Sequence, residues 1–241
     1  MLHGQQRGVF DITFRTPSEC ARVVAAGKAD IGIIPSIELS RHNFAVVPGI
    51  GIASRGPVRS ILLVSKKPLA KIKTLAGDSS SRTSVALTRV ILRERYGVEP
   101  RIVSLAPDLE PMLAAADAAL IIGDPALRLN PDHIPYHVYD LGREWTEMTG
   151  LPMVFAVWAG PAACITDPVI AAFQESYRFG RTHLEDIIQS EAVARGFPPE
   201  LARAYLTRHI VHELGASERQ GLELFLSYAA ADRPVTSCQR S

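Results

Sequence analysis

The sequence predicts a two-lobed α/β protein with a ligand cleft between the lobes. Three observations predict it. Short apolar runs of strand length alternate with segments of helical periodicity through most of the chain. Residues from about Lys66 to Leu151 form a self-contained run of such units, and further strand candidates flank it on both sides. The 241 residues suffice for two compact lobes of roughly 100 residues each. A lobe built from both ends of the chain, with the other inserted, needs two crossing segments. These are expected at 59–65 and 151–157. The expected division is 1–62 with 156–231 for lobe one, 63–155 for lobe two, and 232–241 as a disordered tail. Clefts between such lobes are favoured ligand sites.

The elements follow in chain order. Residues 10–15 alternate apolar and polar, as a strand does. In Thr16-Pro17-Ser18-Glu19, Thr16 fits an N-cap, Pro17 the first helical position and Glu19 a capping box. That helix runs to Ala26, and Gly27 stops it. Residues 29–35 read as a buried strand, so 10–35 predicts a βαβ unit with a parallel pair. Residues 45–53 and 58–65 are further strands, and 66–73 is a basic, Pro-containing connection. A Ser-rich turn, 78–84, precedes a helix over 85–96 that Gly97 ends. Then come a strand at 102–105, a helix at 107–116 entered from Pro107-Asp108, and a buried strand at 118–123. Residues 137–141 and the apolar run 151–159 are the last strand candidates. From 167 to 230 the pattern is helical, in segments 168–190, 200–208 and 217–230.

The composition is that of an ordinary globular protein, 47% hydrophobic and 21% charged. A net charge of +1 gives no argument for nucleic acid or a membrane surface as partner, and neither is expected. Any anionic ligand must then be held by local groups. The three cysteines, Cys20, Cys164 and Cys238, lie far apart with no zinc spacing. They read as free thiols of a reducing compartment. Residues 1–8 are short and polar, unlike a signal peptide, and no apolar run approaches the ~20 residues of a membrane span. A cytoplasmic protein is expected.

The Ser-rich turn is the first candidate site. Five of the six residues 79–84 carry hydroxyls, and the sixth is Arg82. Free N–H groups at a helix start favour an anion, and Ser81, Thr83 and Ser84 add donors. A capped helix alone would need one such residue. Ser36 follows a strand, as either a helix cap or a cleft donor. Asp124, before Pro125, reads as an N-cap or a ligand contact. Ser60 lies near a crossing and is either a plain strand serine or a cleft residue. His209-Ile210-Val211-His212-Glu213 lacks the order of a zinc-protease helix and reads as solvated or capping.

Longer blocks carry a resemblance. Ser80-Ser81-Arg82-Thr83-Ser84-Val85 and Ile122-Gly123-Asp124 are part of it. The most specific part is Tyr139-Asp140-Leu141-Gly142-Arg143-Glu144-Trp145 followed by Thr149-Gly150-Leu151-Pro152-Met153-Val154-Phe155-Ala156-Val157-Trp158-Ala159. Residues 30–38 and 56–60 match in order too. Over about 9–228 the chain resembles the chorismate dehydratases of the futalosine route to menaquinone. The resemblance implies a type II periplasmic-binding-protein fold and removal of water from chorismate to give 3-[(1-carboxyvinyl)oxy]benzoate. It implies no metal or organic cofactor and a small molecule as partner. It assigns Ser60 to catalysis, and Ser36, Ser81, Arg82, Thr83, Ser84 and Asp124 to substrate binding. The family begins with a strand and a Leu-Asn motif that puts an asparagine in the cleft. This chain begins after that point, at Leu2-His3-Gly4, so a native start upstream of Met1 is expected. A missing strand internal to the first sheet is expected to leave two unpaired edges. Two other readings use the same fold: a non-catalytic carboxylate binder, and a sister enzyme acting on a futalosine product. Incubation with chorismate separates them.

Overall fold

The computed structural model describes residues 6–78 and 81–231. Its strands form two sheets. Sheet one holds β1 (Gly32–Pro35), β2 (Ala45–Ser54), β8 (Met153–Gly160) and β9 (Val211–Glu213), in the order β1-β8-β2-β9 and antiparallel throughout. Sheet two holds β3 (Ile61–Ser65), β4 (Thr74–Gly77), β5 (Arg101–Ser104), β6 (Ala118–Ile122) and β7 (His137–Asp140), in the order β5-β4-β6-β3-β7. Within it β4 runs parallel to β5 and β6, while β3 is antiparallel to β6 and β7. The chain leaves sheet one after β2, builds sheet two, and returns as β8.

Helix α1 (Pro17–Ala25) starts as its sequence dictates, with the Thr16 N–H donating to the Glu19 carboxylate at 3.0 Å. The strand expected at 10–15 does not form. Phe10 instead meets Phe173 edge to face at 5.3 Å, and Phe14 is 78% exposed. An alternating pattern needs a neighbouring strand to become a ladder, and β1 takes its neighbour from β8. The parallel pair expected within 10–35 is therefore replaced by an antiparallel one. Among the described residues β1 is an outer strand of sheet one, with β8 as its one partner, and residues 10–15 pair with no strand.

Four elements depart from the pattern reading in other ways. Strand β4 falls at the end of the basic connection. Asp117 stabilises that connection, accepting from the N–H groups of Lys73 and Thr74 at 2.8 and 3.3 Å and from the Lys67 ammonium at 2.7 Å. Helix α5 (Leu141–Thr149) occupies a block read only as a motif. Asp140 caps its start and left-handed Gly150 its end. The long helix expected at 168–190 breaks at His183 into α6 (Asp167–Thr182) and α7 (Leu184–Ala194). After α8 (Pro199–Ala204) the chain makes a π-helical turn, Tyr205–His209, and then β9, before α9 (Ala216–Ala231). The tail expected at 232–241 lies outside the described residues, as does Cys238.

Helix α2 (Arg82–Tyr96) ends at left-handed Gly97 (φ 66°), as its sequence predicts. With α5, α9 and β8 it encloses the largest core, which includes Leu75, Leu87, Ile91, Trp145, Met153, Phe155 and Phe225. Fully buried Trp145 meets Phe225 and Tyr228 edge to face. Its indole N–H donates to the Pro152 carbonyl at 3.1 Å. Gly221 of α9 lies so close that a Cβ there would sit 2.0 Å from the same carbonyl oxygen. The Trp145-to-Pro152 block thus locks the return crossing in place. Sheet two's other face is covered by α3 (Leu109–Ala115) and α4 (Gly123–Arg128) around Met112, Leu113 and Ala126.

Candidate functional site

Strand direction brings the candidates together. Ile61 of β3 lies opposite Ile122 of β6, Leu62 opposite Asp140 of β7, and Gly77 of β4 beside Leu120. Ser60, the turn after Gly77, Gly123-Asp124 and Asp140 therefore share one end of sheet two. Sheet one contributes the matching end, where Pro35 pairs with Ala156 and Ser54 with Met153. The two ends touch: the Ile37 N–H donates to Thr83 Oγ1 at 3.3 Å.

The segment leading to Ser60 is held from several sides. Arg59 adopts φ 65°, a left-handed backbone that a branched-out side chain rarely takes. The Val58 and Arg59 N–H groups donate to the two Asp140 carboxylate oxygens at 2.9 and 2.6 Å. The same carboxylate accepts from Gly142 and Arg143 at the start of α5. The Arg59 guanidinium donates to the carbonyls of Ala126, Leu127 and Leu129 at the end of α4. Ser60 is thus in a tight turn before β3 and not within a strand. Its carbonyl accepts from Gly123 N–H at 2.7 Å, and its Oγ accepts from the Tyr205 hydroxyl at 3.0 Å. Burial raises the Tyr205 pKa, the Ser60 hydrogen bond opposes this, and the Asp124 charge adds to the rise.

The Ser-rich turn is described from Ser81 onward; Ser79 and Ser80 lie outside the described residues. Ser81 precedes α2, and Ser81, Thr83 and Ser84 are all buried. The Ser81 Oγ is buried with no hydrogen-bond partner among the described residues, a polar atom in need of one. Arg82 reaches across to lobe one, where its Nη1 lies 3.0 Å from the Glu38 carboxylate. Glu38 is fully buried, with Arg41 and His42 also within ion-pair reach, and its second oxygen accepts no hydrogen bond from the described residues. Ser36 is likewise fully buried. Its hydroxyl donates to the Val154 carbonyl at 2.7 Å, so it pins the 3₁₀ turn Ser36–Ser40 to β8 and keeps only lone pairs free. Asp124 is exposed and is the second residue of α4, so it is not the N-cap. Left-handed Gly123 (φ 64°) starts the helix two residues earlier than the Asp-Pro pattern suggests.

Pattern reading missed Glu38, Asp140 and Tyr205. Their partners lie 44, 82 and 145 residues away in the chain, beyond any local signal. His212, expected to be solvated or capping, sits in β9 with its Nδ1–H donating to the Gly51 carbonyl at 3.2 Å. Burial lowers its pKa. A surface cavity of about 310 Å³ lies along α6, lined by Glu175, Phe179 and His183 among others, well apart in sequence from every site candidate. Among the described residues no three His, Cys, Asp or Glu side chains gather as metal ligands. No helix among them is long and apolar enough to cross a membrane.

Two α/β lobes joined by two crossings, with polar groups at the facing sheet ends, define a protein of the type II periplasmic-binding-protein fold. Solved structures share it. A structural-genomics protein of Archaeoglobus fulgidus aligns with a TM-score of 0.69 at 17% identity, covering 90% of this chain and 84% of its own. The periplasmic aliphatic sulphonate-binding protein of Escherichia coli aligns at 0.59 and 17% identity, covering 91% and 82%. A family profile described as menaquinone biosynthesis matches residues 1–231, and the chain belongs to that family. The chorismate dehydratase of Thermus thermophilus is 30% identical over 239 residues, covering 90% of this chain and 85% of the relative. That of Campylobacter jejuni is 28% identical over 218 residues, covering 89% and 82%.

Proposed function

We propose that this protein is a chorismate dehydratase, a hydro-lyase that converts chorismate to 3-[(1-carboxyvinyl)oxy]benzoate. The observation that carries the reading is the 30% identity to a chorismate dehydratase over nearly the whole chain. The geometry supports it, because the hydroxyls and cation that the reaction needs gather where the two lobes meet. The chemistry is an elimination. The bond from the ring to its hydroxyl breaks, and a proton leaves the neighbouring ring carbon. The electrons of that C–H bond complete an aromatic ring. Aromatisation supplies a large driving force, so the protein has mainly to orient the substrate and stabilise the leaving hydroxyl.

In this reading Ser60 donates to the departing hydroxyl or to a substrate carboxylate. Ser81, Thr83, Ser84 and the first N–H groups of α2 receive a carboxylate, an anion at the positive end of a 15-residue helix. Arg82 contributes by exchanging Glu38 for the substrate. Ser36 and Asp124 shape the two rims. The lobes we propose are 1–62 with 156–231, and 63–155. The proposed setting is the cytoplasm, which cell fractionation tests.

Purified protein incubated with chorismate should yield an aromatic product lighter by one water. Binding without product would favour the non-catalytic binder. Ser60→Ala is expected to lower kcat by about 100-fold or more; unchanged turnover would remove Ser60 from the mechanism.

A further inference from the structure

The π-helical turn Tyr205–His209 has no part in the mechanism above, yet both of its ends grip the segment that carries Ser60. Its wide ring closes through the Ile210 N–H donating to the Tyr205 carbonyl at 3.1 Å. Such turns insert a residue into helical geometry and re-aim side chains, and they are frequent at functional sites. Here the Tyr205 hydroxyl reaches Ser60 Oγ at 3.0 Å, and His209 Nδ1 lies 3.0 Å from the Pro57 carbonyl. A carbonyl can only accept, so that histidine nitrogen carries its proton. The same segment is also fixed by Asp140 and by the Arg59 guanidinium. A strained residue held from all sides beside a reacting group is the arrangement in which strain serves positioning.

We propose that Tyr205 is a positioning residue for Ser60, with its phenol proton occupying one serine lone pair so that the serine's own proton points at the substrate. The inference rests on the reading of Ser60 as the group that meets chorismate. A serine hydroxyl has one proton and two lone pairs. Among the described residues Tyr205 is the side chain bonded to Ser60 Oγ, with the phenol as donor and the serine oxygen as acceptor. The ring of Tyr205 is partly buried against the large core. Burial, with the Asp124 charge, raises its pKa against the opposing Ser60 bond, so the phenol keeps the proton it donates. Without it the serine proton could turn to other acceptors, and the productive orientation would be populated less often.

The test is a double-mutant cycle on Tyr205→Phe and Ser60→Ala with chorismate as substrate. Tyr205→Phe alone should lower kcat about tenfold and leave KM within about twofold. On the Ser60→Ala background it should lower kcat no further, because a residue acting through Ser60 has nothing left to position. An unchanged kcat in Tyr205→Phe, or the same tenfold loss on the Ser60→Ala background, overturns the inference while leaving the dehydratase reading intact. Wild-type protein without turnover, or Ser60→Ala with full turnover, removes the reading and the inference together. His209→Ala loosens the other end of the turn and gives a second cycle if Tyr205→Phe folds poorly. Coupling to Ser60→Ala supports the positioning role, and additivity overturns it.

Discussion

Arg59 stands in a conformation that no other non-glycine residue adopts among the described residues. Left-handed backbone costs a residue with a side chain about 1 kcal/mol or somewhat more, so its neighbours must impose it. Asp140 does much of this, binding two N–H groups of the turn and two of α5. Asp140→Ala should therefore cost about 2–3 kcal/mol in urea unfolding and lower turnover as Ser60 loses its setting. Arg59→Gly sets two effects against each other. Glycine relieves the backbone, but three guanidinium bonds to carbonyls are lost. We expect a net loss of about 1–2 kcal/mol; a more stable variant would mean that strain outweighs those bonds. Little of this is visible residue by residue. Ser81, Thr83 and Ser84 are legible from the helix-start rule alone, whereas Ser60 is legible only through family resemblance. Asp140 and Tyr205 are ordinary residues in the sequence until the fold brings their partners to them.

Elements were legible where local chemistry decides them. The capping box of α1, the glycine that ends α2 and the apolar strands β3, β6 and β8 follow from their own residues. Failures came where pairing decides: residues 10–15 have the pattern of a strand but no neighbour, and β4 has a neighbour but only four residues of pattern. Two elements offer tests. Gly142 of α5 is packed so closely against the first crossing that a Cβ would sit 2.5 Å from the Gly56 carbonyl and 2.6 Å from Ser54 Oγ. Gly142→Ala should cost about 2–4 kcal/mol, because the obstacle is backbone that cannot step aside. At the far end of sheet two, Asp117 is held down to about 2, by the Lys67 ammonium first and then by the Lys73 N–H, with Thr74 assisting. Its contribution is complete above the ordinary carboxylate range and disappears as pH falls from about 3.8 through about 2. Asp117→Asn should lose about 1–2 kcal/mol at pH 7, part of the charge term being screened at this half-open pair. Wild type and variant should converge in acid melts near pH 2.

At the scale of the whole molecule, contacts bridge the lobes away from their crossings. Arg82 meets Glu38 on one side. On the other, Arg128 of α4 donates to the Arg195 carbonyl at 2.9 Å and lies over the Phe197 ring at 4.4 Å. In the proposed reading the substrate takes Arg82 from Glu38, which would couple entry to lobe contact. Arg82→Met should raise the KM for chorismate about tenfold, as one charge-assisted contact is lost. It should also enlarge the radius of gyration of the unliganded protein in small-angle scattering, and an unchanged radius would show that the pair does not hold the lobes. The two-lobed plan was legible from the order of the runs. The Arg82–Glu38 pair was not, because Glu38 sits in a 3₁₀ turn that carries no pattern of its own.

The place of β8 also shapes how the chain is made. β1 and β2 do not pair with each other; each waits for β8 between them. Sheet two is one continuous stretch of chain and can close first. At typical synthesis rates of about 5–20 residues per second, the two early strands spend several seconds outside the ribosome with open edges and no sheet to join. Stalled nascent chains with β8 still inside the ribosome and with β8 fully emerged should therefore differ sharply in protease resistance over the first 60 residues. That interval is also when a chaperone holding those strands would matter most to the yield of folded protein.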